Sequence, residues 1–371
     1  MPSELSVLEL VGTPRALGEG FGETCRASIQ EFYRLRVVNA LAQAKQYGGR
    51  QLDEGHLLEV ARRSLAVSES YDPDGFAELV GIARAAHLTI EQAFAMNGLT
   101  DLRDVLAYSR EVPGLEREGE GCSSFLIHAS QASEGRFLGG QNWDLATDNM
   151  PYVIAVHRRP KDRPETWCLT TVGCLSLIGL NAEGLAVGTT NIRSSDARPG
   201  ICYLSLIHKA LGQRSLDDAI ACITTKHRAA AHYYWLIGAK ERRAVGLECT
   251  ATRHEQIDVE RGHYVHCNHI LAEANRPLEA AKPSAGESTV CRQSRLDALI
   301  GEALAPDRAA MRRALADHDN GEQAICRHDF AGISSNGAVV IEPELPRIEA
   351  CHGPPCTGRW VDLVSGAPVG P

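Results

Sequence analysis

Gly119-Glu-Gly-Cys-Ser-Ser-Phe-Leu-Ile-His128, then a short turn and Gly139-Gly-Gln-Asn-Trp-Asp144, is the stretch around which the chain is organised. A charged, glycine-punctuated loop starting near Pro113 ends at Gly121. Cys122 opens an apolar strand, and a second strand finishes in Asn142, Trp143 and Asp144. This context marks the Gly121–Cys122 bond as one to be cut. A thiol attacks well only as thiolate, so a cysteine nucleophile needs a base. A free α-amine on the same residue, with an ordinary pKa of about 7.7–8.0, can serve as that base. Such an amine exists only after the preceding bond is cleaved. Gly121 has no Cβ, so its carbonyl can be approached closely. Cysteine is more often a small buried hydrophobe than a nucleophile, and the Gly-Cys pair recurs at Gly173-Cys174. The context, an exposed loop running into a strand, separates Cys122 from Cys174.

Outward from this stretch, residues 6–11 read as a short strand, and Thr13-Pro14 cap and open a helix. Leu17, Phe21, Cys25, Ile29, Phe32 and Val37 keep that helix in register up to Gly48-Gly49. Further helices are expected over 53–70, 74–87 and 89–108, the last opened by a Thr89–Gln92 capping box. After Cys122, strands are expected over 122–130, 136–143, 152–158, 167–172, 174–180 and 185–190. A helical pair over 202–212 and 215–226 precedes strands at 233–239, 244–249, 255–259 and 263–268. Helices near 288–304 and 307–317 lead to closing strands at 332–342 and 346–351. Helices followed by two strand groups split by a helical pair suggest two packed sheets with helices outside.

Composition narrows the function. The chain has 371 residues and a formal net charge of −9, so neither nucleic acid nor an anionic membrane is an expected partner. No apolar run approaches the ~18 residues of a membrane span, and no secretory signal is read at Met-Pro-Ser-Glu-Leu. Twelve scattered cysteines read as reduced thiols, hence a cytoplasmic setting. No nucleotide-binding glycine fingerprint is present and no cofactor is expected.

Several segments match a known pattern in chain order. They are Gly12-Thr-Pro14 with Gly18 and Gly22, Gly121-Cys122, Gly140-Gln-Asn-Trp-Asp144, Gly179-Leu-Asn-Ala-Glu-Gly-Leu-Ala-Val187, Cys267-Asn-His-Ile-Leu271, and Ala324-Ile-Cys-Arg327 with Ser334. On these residues the chain resembles the acyl-coenzyme A:6-aminopenicillanic acid acyltransferase family, the cysteine branch of the N-terminal nucleophile hydrolases. The resemblance implies an α+β fold, the four-layer αββα sandwich. It implies self-cleavage into 1–121, mainly helical, and 122–371, the catalytic segment, which stay associated in one shared domain and could pair as a homodimer. It makes Cys122 the nucleophile, with Asp144 orienting its amine. Asn268 becomes the donor to the oxyanion, Asn191 a second donor, and Ser334 a supporting hydroxyl. Trp143 and Arg193 are substrate-binding candidates. For Arg193, with Arg198 beside it, a solvated loop is the competing reading. The chain departs from the family's penicillin-processing member at Ser335, where that member has arginine. It also has Gly20-Phe21-Gly22 where many members carry histidine before the second glycine. Both departures count against the penicillin nucleus as substrate.

The expected reaction is hydrolysis of a small linear N-acyl or peptide-like amide through a Cys122 thioester, with acyl transfer to an amine as the alternative. A non-catalytic binding protein would have no reason to carry Cys122, Asp144 and Asn268 together. His263, His266, Cys267 and His269 fall close together but on different strand faces, so no metal is expected there. Cys351-His-Gly-Pro-Pro-Cys356 reads as a turn closing a strand.

Overall fold

The computed structural model describes residues 5–49, 51–108, 121–280, 283–284 and 286–370. The expected loop before Gly121 lies outside these residues. In chain order the elements are β1 (Val7–Gly12), α1 (Pro14–Thr24), α2 (Arg26–Gly48), α3 (Glu54–Tyr71), α4 (Pro73–Ala85) and α5 (Ile90–Tyr108). Then come β2 (Gly121–Ile127), β3 (Leu138–Ala146), β4 (Val153–Pro160), β5 (Thr166–Thr171), β6 (Ile178–Asn181) and β7 (Leu185–Asn191). The helical pair α6 (Tyr203–Leu211) and α7 (Leu216–Ile223) precedes β8 (His232–Gly238), β9 (Arg243–Cys249), β10 (His254–Asp258) and β11 (His263–His266). The chain closes with α8 (Ser288–Glu302), α9 (Arg308–Leu315), β12 (Ile333–Glu342), β13 (Arg347–His352) and β14 (Trp360–Asp362).

Among the described residues the strands form two sheets, one ordered β1-β4-β5-β6-β7-β8-β9-β10 and one ordered β11-β2-β3-β12-β13-β14. Alternation along the strands sets the layers, because successive side chains leave a strand on opposite faces. Phe125, Ile127, Ala338 and Val340 pack with Leu296, Ile300, Met311 and Leu315 of α8 and α9. Their neighbours Leu126, Val339 and Ile341 pack instead with β4–β9 residues such as Ala155, Leu236 and Val245. The smaller sheet therefore has helices on one face and the larger sheet on the other. On the outer face of the larger sheet, a Cβ at Gly179 would meet Leu211 of α6, and one at Gly238 would meet Leu216 of α7. The fold is α+β with layer order αββα.

Helix packing on that side depends on close backbone approach. A Cβ at Gly18 of α1 would stand 1.9 Å from Glu78 O of α4, and one at Gly22 2.7 Å from Ala85 Cβ. Only glycine permits this crossing. Thr13 caps α1 by accepting from Ala16 N, and Thr89 and Gln92 form the expected reciprocal box.

Two local expectations are corrected. The single helix read from Pro14 to Gly48 is two, broken at Cys25 (φ −109°), which lets α1 lie along α4 while α2 follows α5. The strand read from 174 begins at Ile178, because Asn97 of α5 grips Gly173 O and Leu175 N and holds that segment as a loop. The two expected sheets are present, and they cut across the two sequence groups of strands: β2 and β3 join the smaller sheet while β4–β7 join the larger.

Candidate active site

The Gly-Gln-Asn-Trp-Asp segment lies in β3, between β2 and β12, and each side chain has a separate task set by alternation. Gln141 faces the larger sheet, donating to Thr189 O while its Oε1 accepts from Thr189 N and Trp235 Nε1. Asn142 faces the helices and donates to Leu315 O and Ile325 O. Trp143 pairs in register with Cys122, and Asp144 with Gly121. The thiol and the aspartate thus leave neighbouring backbone positions toward opposite faces, with the Gly121–Cys122 bond between them. A Cβ at Gly121 would meet Arg292 Nη2 at 3.1 Å and Asp144 Oδ2 at 3.2 Å, so the missing side chain is what lets both groups close on that bond.

The backbone N–H of Cys122 donates to Asn268 Oδ1 at 2.7 Å, and Arg292 Nη2 donates to the same oxygen at 2.9 Å. Two donors on one oxygen fix the orientation of the amide. Asn268 Nδ2 then donates to Asn191 O at 2.8 Å. Arg292 also binds Cys122 O, and donates to Ser123 Oγ and, through Nε, to Ser288 Oγ. Asp144 Oδ1 accepts from Ser335 Oγ at 2.7 Å, while Oδ2 is buried without a hydrogen-bond partner among the described residues.

These surroundings set the charge states. Burial pushes the Cys122 thiol up to about 12, and Asp144 pushes the same way. Arg292 and the main-chain N–H groups of Asp144 and Asn191 pull it down, but burial wins. In the uncut chain the thiol is therefore protonated and its own nitrogen is an amide with no basic lone pair. Burial likewise raises the Asp144 carboxyl, against Arg292, Arg327 and the Ser335 hydrogen bond. A raised, partnerless carboxylate oxygen beside Gly121 is suited to take or hold a proton.

Of the other expected residues, Asn191 lies with Cys122 and Asn268 in one narrow pocket whose walls include Trp143, Leu145, Leu177, Thr189, Tyr203 and His232. Asn191 Nδ2 is buried with no hydrogen-bond partner among the described residues. Ser334 is not at this site: its Oγ meets Thr147 Oγ1 and accepts from Asp329 N. Period-two alternation puts its neighbour Ser335 on the Asp144 face instead. Arg193 is not part of the pocket wall; it lies close enough to Asp104 to favour that residue's charged form. A wider cleft elsewhere, lined by Arg136, Arg308, Arg312, Glu342 and Glu349, holds ion pairs and no cysteine. Cys174, the other Gly-Cys cysteine, is packed against α5 with burial raising its pKa, as a core thiol should be. The histidine cluster disperses. His263 meets Gln131 and Asp297, His266 meets Glu248, and His269 meets Thr289.

Sequence reading missed Arg292. Its signal was present: Arg292, Leu296 and Ile300 recur at i, i+4 and i+8 on the buried face of α8, an odd place for arginine unless it serves a buried acceptor. It also missed His232, whose Nε2–H donates to Asp101 Oδ1 at 2.6 Å and whose ring stacks on Tyr203. Nδ1 of this pocket-lining ring has no partner among the described residues.

Two stacked sheets flanked by helices, with a cysteine at the head of a central strand, form the frame of an α+β amide hydrolase or acyltransferase. Residues 131–344, more than half of the chain, match the family described as acyl-coenzyme A:6-aminopenicillanic acid acyl-transferase, and the chain belongs to that family. The matched span begins after Cys122 and contains Asp144, Asn191, Asn268 and Arg292. No curated protein matches the chain. Solved structures similar to it include a variant of the conjugated bile acid hydrolase from Clostridium perfringens (12% identity, TM-score 0.48, covering 66% of this chain and 94% of that one). Penicillin V acylase from Agrobacterium tumefaciens is also similar (10% identity, TM-score 0.44, 66% and 86% covered).

Proposed function

We propose that the chain is a self-processing cysteine amidohydrolase that cuts its own Gly121–Cys122 bond and then cleaves a small linear amide through a Cys122 thioester. The observation that carries this is the clamp on the nitrogen and carbonyl of Cys122 by Asn268 and Arg292, with the unpartnered Asp144 oxygen beside Gly121. In processing, Cys122 Sγ attacks the Gly121 carbonyl carbon and the C–N bond breaks. The thiol proton passes to the departing nitrogen, with Asp144 as relay. Water then adds to the thioester, leaving a Gly121 carboxyl group and a free Cys122 thiol and amine. In turnover the new amine takes the thiol proton as Sγ attacks the substrate carbonyl, delivers it to the leaving amine, and water resolves the thioester.

The two asparagines divide this work differently from what the resemblance implied. Asn268 Oδ1 is placed to accept from the Cys122 amine and so orient it. The partnerless Asn191 Nδ2 and the Asn191 main-chain N–H beside the thiol are the better-placed oxyanion donors. Ser335, through Asp144, is a positioning residue.

The segments 1–121 and 122–371 are expected to stay together after cleavage. β1 pairs with β4, and Phe21, Ile29, Phe32 and Met96 share a core with Ala155, Leu175 and Ile178. A homodimer of the cut chain would be read by size-exclusion chromatography. Twelve cysteines, none of them in a disulfide, suit a reducing compartment such as the cytoplasm. No helix among the described residues is long and apolar enough to cross a membrane.

Acyl transfer to an amine is the second reading, favoured by the family's own name. The test is an intact mass spectrum, followed by assay of N-acyl amides with and without an acceptor amine. Two fragments, the larger led by Cys122, and amine release without acceptor support the hydrolase. A chain that never splits would sink self-processing, and turnover only with acceptor would move the assignment to transferase.

A further inference from the structure

On the far side of Asp144 from the thiol, two cysteines and two histidines converge from three segments. His318 follows α9; Cys326 and His328 flank Arg327 in the segment entering β12; Cys356 lies in the turn after β13. Their four ligand atoms all lie within 4.8 Å of one another. His318 Nε2 and His328 Nε2 are 3.1 Å apart, Cys326 Sγ and Cys356 Sγ 3.6 Å. His328 Nε2 stands 3.5 Å from Cys326 Sγ and 3.1 Å from Cys356 Sγ. A tetrahedral zinc ion with Zn–N of about 2.0–2.1 Å and Zn–S of about 2.3 Å requires edges of roughly 3.3 Å (N···N), 3.5 Å (N···S) and 3.8 Å (S···S). The four edges among His328, Cys326, Cys356 and between the two histidines agree within about 0.4 Å, and the two from His318 to the sulfurs are no longer than 4.8 Å, so closing the tetrahedron asks only for a small rotation of the exposed His318 ring.

We propose that His318, Cys326, His328 and Cys356 bind one structural zinc ion. Two thiolates and two neutral imidazoles neutralise Zn²⁺, and mixed sulfur–nitrogen ligation at tetrahedral spacing selects zinc over calcium or magnesium. On binding, the two thiols release their protons to solvent while the imidazoles bind through Nε2 lone pairs. Four protein ligands close the coordination sphere, which makes the ion a clip and not a catalyst.

What it fastens gives the site its purpose. Both neighbours of Arg327 are ligands, and Arg327 N donates to Ser335 Oγ while Ser335 N donates to Arg327 O. Ser335 Oγ in turn holds Asp144. Cys326 N also donates to Asp317 O, tying the end of α9 to the same knot. The zinc thus immobilises the backbone that supports the active-site aspartate.

The test is metal analysis of the full-length protein purified with a non-chelating reductant. About one zinc per chain is expected, and Co(II) replacing it should give the visible ligand-field bands of tetrahedral cobalt thiolate. Cys356 is exposed, so Cys356→Ser should fold. Its zinc affinity should drop by more than the roughly 10–100-fold typical of losing a supporting hydrogen bond around a metal. Added Zn²⁺ should raise the melting temperature of the metal-free wild type and not that of the variant. Reduced, folded wild type that binds neither Zn²⁺ nor Co²⁺ overturns the proposal. So does a variant that keeps wild-type zinc affinity, or a Cys326–Cys356 disulfide in the peptide map of protein as isolated.

Discussion

Asn268 Oδ1 sits 2.7 Å from the backbone nitrogen of Cys122, 146 positions away in sequence, and shares that oxygen with Arg292. The nitrogen that processing would turn into the catalytic amine is held in place before the cut is made. An amine already positioned needs no search for its partner, and the entropy of ordering it is met by folding.

Removing the thiol should abolish both reactions. Cys122→Ala is expected to purify as one uncut 40.2 kDa chain with no amide hydrolysis. Intact mass and an amine-release assay check this, with circular dichroism confirming the fold.

The division between the asparagines predicts different kinetics. Asn191→Ala should lower kcat by about 10²–10³-fold with little change in KM, since an oxyanion donor acts in the transition state. Asn268→Ala should slow self-cleavage as well as turnover, because it frees the nitrogen in both. Single-turnover rates for the cut and for the substrate separate the two roles; a processing rate unchanged by Asn268→Ala would remove the orienting assignment.

Ser335 is expected to tune Asp144. Its hydrogen bond favours the carboxylate, so Ser335→Ala should raise the Asp144 pKa further. If the carboxylate is the active form, the acidic limb of kcat/KM then moves to higher pH. Ser334→Ala, whose hydroxyl meets Thr147, should leave that limb in place. pH–rate profiles of the two variants decide.

His208 links stability to pH. Burial, then Arg158, pulls its pKa down to about 3, while its unfolded value is about 6.5. Below pH 6.5 the unfolded chain takes up a proton that the folded chain refuses. The neutral ring's contribution is therefore complete above 6.5 and is lost as pH falls toward 3, at about 1.4 kcal/mol per pH unit. His208→Gln should flatten urea-measured stability across that window, after allowing for the lost Ser176 contact.

The α1–α4 crossing should not tolerate a methyl group. Gly18→Ala places a Cβ against Glu78 O and is expected to cost at least ~1–3 kcal/mol, read as a lower melting temperature.

Local patterns carried much of this protein. Thr13-Pro14, the Thr89–Gln92 box and the strand alternation after Cys122 are short-range signals, governed by caps and side-chain periodicity that the neighbouring residues themselves supply. They brought most elements close to their observed bounds and marked Cys122 by its loop-to-strand context, while Asp144, Asn191 and Asn268 entered as candidates through the family resemblance. What they could not supply was partnership. Ser335 outranks Ser334 only because β12 lies beside β3 in one register; a shift of one residue would exchange the two hydroxyls. Arg292 belongs to the site only because α8 crosses the head of β2. His318, Cys326, His328 and Cys356 converge because α9, the entry to β12 and the turn after β13 meet in space, at spacings no short sequence pattern describes. Sequence alone determined which groups could carry the chemistry, because identity and local periodicity are written residue by residue. Only the tertiary structure decided which groups meet, because sheet register and helix crossing depend on contacts made across the whole chain.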